Sequence, residues 1–246
     1  MPDSKVEPVN EHERHRLLAR IAKQFDTVTR EIQVGHLSIP FIQIKDPDRV
    51  LDDICAEADR REKITGHPQS DDEMHLPYWA ELWDSAMGVG QWLCNHRSEA
   101  GHAQSVLDLG CGMGLSGTVA AALGYQVLLA DLEADALLFA RANAMRFDPT
   151  IRARRVDWRR DRLDESFDLI LGADVLYDKS QWEYLDLFFR AHLAPGCSVL
   201  LGEPGRQTGE MFITWITAPA RGWKLEESEQ RVITRERPIR LFRIFR

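Results

Sequence analysis

The stretch Val106-Leu107-Asp108-Leu109-Gly110-Cys111-Gly112-Met113-Gly114 constrains this chain more than any other. A short apolar run with one acid passes directly into alternating glycines and then into a helical pattern, Leu115 to Leu123. That order is a strand, a tight turn and a helix. Glycine tolerates the positive φ of such a turn and lets a ligand approach backbone N–H groups at a helix start. A ligand site at the carboxyl end of the strand is therefore expected. The same residues also fit G-x-G-x-x-G through Gly112, Gly114 and Gly117, so the glycines alone leave a dinucleotide open. Asp108 tips the balance, because a carboxylate just before the turn repels a pyrophosphate and attracts an ammonium. Asp131 closes the next strand, where a carboxylate can accept both hydroxyls of a ribose. Its plainer alternative is to cap the following helix.

Around this unit, short β-rich runs (Ser105 to Leu109, Gln126 to Ala130, Phe167 to Ala173, Ser198 to Gly202) alternate with helical patterns such as Glu133 to Arg146 and Ser180 to His192. Such alternation predicts an α/β fold with a doubly wound, mostly parallel sheet. Trp223 to Arg246 alternates apolar and charged residues and predicts a closing antiparallel hairpin. Before the sheet, the chain predicts a helix around Leu17 to Phe25, a hairpin through Ile32 to Ile44, a short helix from Asp48 to Ala58 and a polar linker from Thr65 to His75. The expected division is an N-terminal extension over 1–75 and a main domain over 76–246.

Length and composition limit the classes. With 246 residues, 44% of them hydrophobic and 28% charged, this is a globular chain of one large α/β domain with an appendage. A net charge of −8 argues against nucleic acid as a partner. The arginine-rich stretches Arg141 to Arg162 and Arg221 to Arg246 carry interleaved acids, which predicts solvated faces. The four cysteines show no CxxC spacing, and the eight histidines no metal-ligand pattern, so a reducing cytoplasm and no metal are expected. No run approaches the ~18 apolar residues of a membrane span.

The acid before Gly110, Gly112 and Gly114 resembles the first motif of the class I, seven-strand S-adenosylmethionine-dependent methyltransferases, over roughly Leu76 to Arg206. That resemblance implies a seven-stranded Rossmann-like sheet and S-adenosyl-L-methionine as cofactor, with Asp131 on the ribose and Asp157 and Trp158 on the adenine. Trp158 could instead be a core aromatic. Leu76-Pro77-Tyr78-Trp79-Ala80-Glu81-Leu82-Trp83 and Ala173-Asp174-Val175-Leu176-Tyr177 are similar to the branch of small protein-lysine methyltransferases and their bacterial relatives, in which a Trp-rich segment covers the cofactor and a D/E-x-x-Y/F motif follows the fourth strand. Gly202-Glu203-Pro204-Gly205-Arg206 resembles the electron-transfer-flavoprotein lysine methyltransferase relatives, with Glu203 where Asp is typical.

By this likeness Trp83 and Ala173 belong to the cofactor site, and Asp174 and Tyr177 are the catalytic pair. The burial expected of Leu169 to Ala173 independently directs Asp174 toward the cleft beyond the strand ends. Asp174 could instead cap a turn while Tyr177 packs in the core. The expected partner is a protein presenting a lysine, met by a monomeric enzyme. A small-molecule N-methyltransferase and a non-catalytic cofactor-binding or interaction module are the alternatives.

Overall fold

The computed structural model describes residues 8–66, 76–96 and 105–246. Most of the predicted linker (67–75), and with it His67 and His75, lies outside the described residues, as does His102. The chain opens with α1 (Pro8–Gln24), β1 (Thr27–Val34), β2 (Leu37–Ile44) and α2 (Pro47–Thr65). The helix predicted from Asp48 to Ala58 is longer than its apolar pattern suggested. Pro47 starts it, Asp46 accepts from the Arg49 amide, and the run on to Thr65 is rich in helix-forming Glu, Arg and Lys. Its end is set by Gly66, which takes a left-handed conformation and donates to the Glu62 carbonyl.

The main sheet is built from β3 (Ser105–Leu109), β4 (Gln126–Asp131), β5 (Arg152–Arg155), β6 (Phe167–Ala173), β7 (Leu193–Glu203), β8 (Lys224–Gln230) and β9 (Ile239–Phe245). Its order is β5-β4-β3-β6-β7-β9-β8. The first five strands are parallel, while β9 pairs antiparallel with both β7 and β8. This is the doubly wound seven-stranded sheet, with its closing hairpin, that the sequence predicts. The chain moves outward from β3 in one direction and returns to β6 on the other side, so the crevice between β3 and β6 is where a ligand is favoured.

Alternate residues of each strand feed different faces. Val106, Val127, Leu129, Leu169 and Leu171 join one apolar cluster, and Leu107, Leu128, Ala130, Ile170 and Val199 the other. Each fully buried aliphatic side chain contributes roughly 1.5–3 kcal/mol. The first face is covered by α3 (Asp84–Asn95), α4 (Leu115–Ala122) and α5 (Ala134–Ala144), and the second by α6 (Trp182–His192) and α7 (Gln207–Ile216).

The N-terminal hairpin is part of the first cluster, to which it gives Ile32, Val34, Ile39 and Phe41. Its two-residue turn, Gly35-His36, has φ +59° at Gly35, matching a type II′ hairpin. The buried Asn143 of α5 ties it to the glycine turn: Oδ1 accepts from the Ile42 amide at 2.8 Å, and Nδ2 donates to the carbonyls of Ile42 and Met113, each at 3.0 Å. The arginine-rich stretches are laced into carboxylates, with Arg152 on Glu165, Arg221 on Glu183 and Asp186, and Arg243 on Glu226. Among the described residues no helix is long and apolar enough to cross a membrane.

Candidate functional site

A cavity of about 570 Å³ opens above the carboxyl ends of β3, β4 and β6. Its size lies within the range of small-molecule sites. One wall is the glycine turn. Gly110, Gly112 and Gly114 have φ of +67°, +53° and +84°, all in the left-handed region. At Gly114 a Cβ would also stand 2.6 Å from the Ala140 Cβ, so glycine is required there on both counts. At Gly112 the nearest atom to a Cβ would be the Trp79 carbonyl oxygen at 3.6 Å, so space is open and the backbone conformation alone demands glycine.

Asp131, at the end of β4, is on the cavity wall. Its Oδ2 accepts from the Gly112 amide at 2.8 Å and its Oδ1 from the Glu133 amide at 2.9 Å. It therefore orders the turn that leads into α5 without being its N-cap, a position that Glu133 takes with no side-chain cap bond. Burial pushes its carboxyl up to about 6, although the Glu133 and Gly112 amides work against that rise.

Asp108 sits elsewhere than the sequence suggested. It is 1% exposed and lies behind the glycine turn, where Oδ2 accepts from the Gly117 amide at 2.7 Å. Burial lifts its carboxyl to about 7, with the Gly117 amide opposing. It is not among the residues that line the cavity.

Trp158 and Asp157 both line the cavity. Trp158 is half-buried, with its ring edge against Gly110 and its indole N–H on Gln181 Oε1 at 3.2 Å. Asp157 has both oxygens on the Arg159 guanidinium at 3.0 Å, and that bond holds its carboxyl below the usual range.

Ala173, Asp174, Tyr177 and Trp83 also line the cavity. Asp174 is the one non-glycine residue with positive φ among the described residues, at +59°. Aspartate is among the side chains that tolerate this conformation, and such outliers concentrate at functional sites. The Asp174 amide donates to the Gly202 carbonyl at 2.9 Å, and Oδ2 pairs with Arg206 Nη2 at 3.0 Å. Burial raises the Asp174 carboxyl to about 6 against the pull of Arg206. The ring of Tyr177 stands 5.5 Å from that of Tyr78, edge to face, and burial raises its hydroxyl above the ordinary value. Trp83 donates its indole N–H to the Tyr78 carbonyl at 2.8 Å, which fixes the aromatic segment across the opening.

The sequence motifs contain Tyr78 and Arg206 without giving either a role of its own, and nothing in the sequence singles out Gln181. The run after β7 did draw attention to Glu203. That buried side chain accepts from the amides of Gly205 and Arg206, at 2.7 and 2.6 Å, and so shapes the loop that delivers Arg206. Among the described residues no group of three or more His, Cys, Asp or Glu could hold a metal ion.

Residues 71–217, more than half of the chain, match the family described as lysine methyltransferase. The chain belongs to this family. It is 36% identical over 132 residues to the protein N-lysine methyltransferase METTL21A of Xenopus tropicalis, covering 50% of this chain and 58% of that one. It is 30% identical over 141 residues to the electron transfer flavoprotein beta subunit lysine methyltransferase of Danio rerio, covering 53% and 51%. The match thus spans between half and three-fifths of the length of these curated relatives. Among solved structures, the glycopeptide N-methyltransferase MtfA superposes with a TM-score of 0.52 at 13% identity, over 64% of this chain and 90% of that one. A putative RNA methyltransferase of Pyrococcus horikoshii gives 0.52 at 14% identity, over 68% and 87%. These two share the fold of this lysine methyltransferase family member.

Proposed function

We propose that this chain transfers a methyl group from S-adenosylmethionine to a lysine side-chain nitrogen of a protein. The observation that carries the reading is that two buried carboxylates, Asp131 at the end of β4 and Asp174 just after β6, on the strands either side of β3, line one cavity over a glycine turn. The residues present suit the cofactor. Asp131 would take the ribose hydroxyls, Trp158 would present a face to the adenine with Asp157 beside it, and Gly110, Gly112 and Gly114 would admit the amino-acid end with Asp108 beneath. Ala173 and Trp83 would flank the reacting end. When bound, S-adenosylmethionine supplies a methyl group on a positively charged sulfur, which a neutral amine can accept directly.

The work left to the protein is to hold the amine in line, exclude water and favour its neutral form. A lysine with pKa near 10.4 lies about 3.4 units from neutral at pH 7, on the order of 4.6 kcal/mol, and burial in an aromatic cleft lowers that barrier. Asp174 would orient the amine through a hydrogen bond. Tyr177 with Tyr78 and Trp83 would wall the channel and keep water out.

The four unpaired cysteines suit a reducing cytoplasm. The test is incubation with methyl-labelled S-adenosylmethionine and soluble cell protein, followed by acid hydrolysis. Label is expected in Nε-methyllysine; label confined to small molecules would favour a small-amine methyltransferase. No transfer at all, with S-adenosylhomocysteine still bound, would favour a binding module.

A further inference from the structure

Past the Asp174 end of the cofactor cavity lies a second cavity of about 360 Å³. Glu81, Trp83, Asp174 and Arg206 are walls of both, so these residues form the neck between the two. One side chain lies against two of these walls. Arg206 Nη2 lies 3.0 Å from Asp174 Oδ2, and the guanidinium centre is 5.4 Å from the centroid of the Trp83 ring. A cation against a carboxylate and an aromatic face is also what an entering lysine ammonium would need at this point. Arginine cannot withdraw by losing its proton, because its guanidinium stays charged at any working pH.

The root and the tip of Arg206 are held differently. Its backbone amide is fixed by the buried Glu203 carboxylate at 2.6 Å, whereas its side chain is 38% exposed and that of Asp174 only 6%. The tip can therefore move while the loop stays. Glu81 is exposed and sits on the wall of both cavities; its carboxylate has no hydrogen bond or ion pair among the described residues.

We propose that Arg206 is a resident competitor for the acceptor's cation: it occupies Asp174 until a lysine ammonium displaces it toward Glu81, and so sets the affinity for the acceptor. This rests on the reading that Asp174 meets the acceptor amine.

The test uses the full chain saturated with S-adenosylhomocysteine and titrated with n-butylammonium chloride, which reproduces the lysine side chain. The Arg206 Nε–H resonance, identified by its loss in Arg206→Lys, is expected to move toward its position in Asp174→Asn as the ammonium saturates. Arg206→Gln, itself saturated with S-adenosylhomocysteine, is expected to bind n-butylammonium about two- to fivefold more tightly than wild type, the strength of a partly exposed ion pair. Glu81→Gln is expected to bind it more weakly. Equal or weaker n-butylammonium binding by Arg206→Gln would overturn the proposal and leave the methyltransferase reading intact. Failure of the wild type to bind S-adenosylhomocysteine would overturn both. Should Arg206→Gln not fold, the wild-type resonance decides, and its failure to move on saturation overturns the proposal.

Discussion

The amide of Gly112 donates to Oδ2 of Asp131 at 2.8 Å, so the glycine turn and the carboxylate at the end of β4 form a single rigid unit. Oδ1 of the same side chain receives the Glu133 amide, which couples that unit to α5. A residue expected to touch a ligand is thereby also the residue that shapes the wall around it.

Asp131→Ala is expected to weaken S-adenosylhomocysteine binding by roughly 1.5–3 kcal/mol, about ten- to a hundredfold, through the loss of hydrogen bonds to a charged acceptor. Asp131→Asn, which keeps an oxygen for one amide, should lose less. Calorimetry reads both. Unchanged affinity in a folded Asp131→Ala would confine the residue to shaping the turn.

Gly114→Ala and Gly112→Ala separate backbone strain from overlap. Both need a left-handed alanine, about 1–2 kcal/mol each. Gly114→Ala adds the 2.6 Å approach to the Ala140 Cβ and should lower unfolding free energy by clearly more than Gly112→Ala, measured in urea. Equal losses would show that the turn relaxes away from α5.

Asn143→Leu should cost about 2–4 kcal/mol of stability, because it strands the Ile42 amide and the carbonyls of Ile42 and Met113 in the core. It should weaken cofactor binding as well, since Met113 belongs to the cavity wall. Loss of stability with no change in affinity would mean that the hairpin supports the fold without reaching the site.

Burial raises the Asp108 carboxyl from 3.8 to about 7, so the folded state holds this proton more tightly than the unfolded chain. The stability that follows is present below about pH 4 and is lost as pH rises through 7. Asp108→Asn removes this dependence. The difference in unfolding free energy, variant minus wild type, should therefore increase by more than about 1 kcal/mol between pH 4 and pH 8. A difference independent of pH would show that Asp108 stays ionised throughout.

The parts legible in the sequence were those fixed by neighbours along the chain. Ser105 to Leu109, the glycine turn and α4 follow from local pattern, and the alternation of strands with helices fixed the sheet class. Asp174 was placed in the cleft because a strand buried on both faces can release a polar side chain only at its end. What escaped depends on residues meeting from far apart. Arg206 reaches Asp174 across 32 positions, and Asn143 reaches Ile42 across 101, with nothing local to announce either. The motif position of Asp108 is visible in the sequence and suggests a ligand contact, whereas the Gly117 amide that turns it inward is not. The extra length of α2 escaped because the helix presents no buried stripe from which a period could be read.

In the proposed reaction Asp174 serves the methyl acceptor and not the cofactor. Its φ of +59° makes Asp174→Asn the appropriate variant, since asparagine tolerates that conformation and keeps the side-chain shape. The direct measurement is transfer of labelled methyl from S-adenosylmethionine into Nε-methyllysine of soluble cell protein, made beside S-adenosylhomocysteine affinity for the same two proteins. Asp174→Asn should bind S-adenosylhomocysteine within a few-fold of wild type and lose most of the transfer, because an interaction that positions the acceptor acts in the transition state. A folded Asp174→Asn that labels lysine at the wild-type rate would contradict the account.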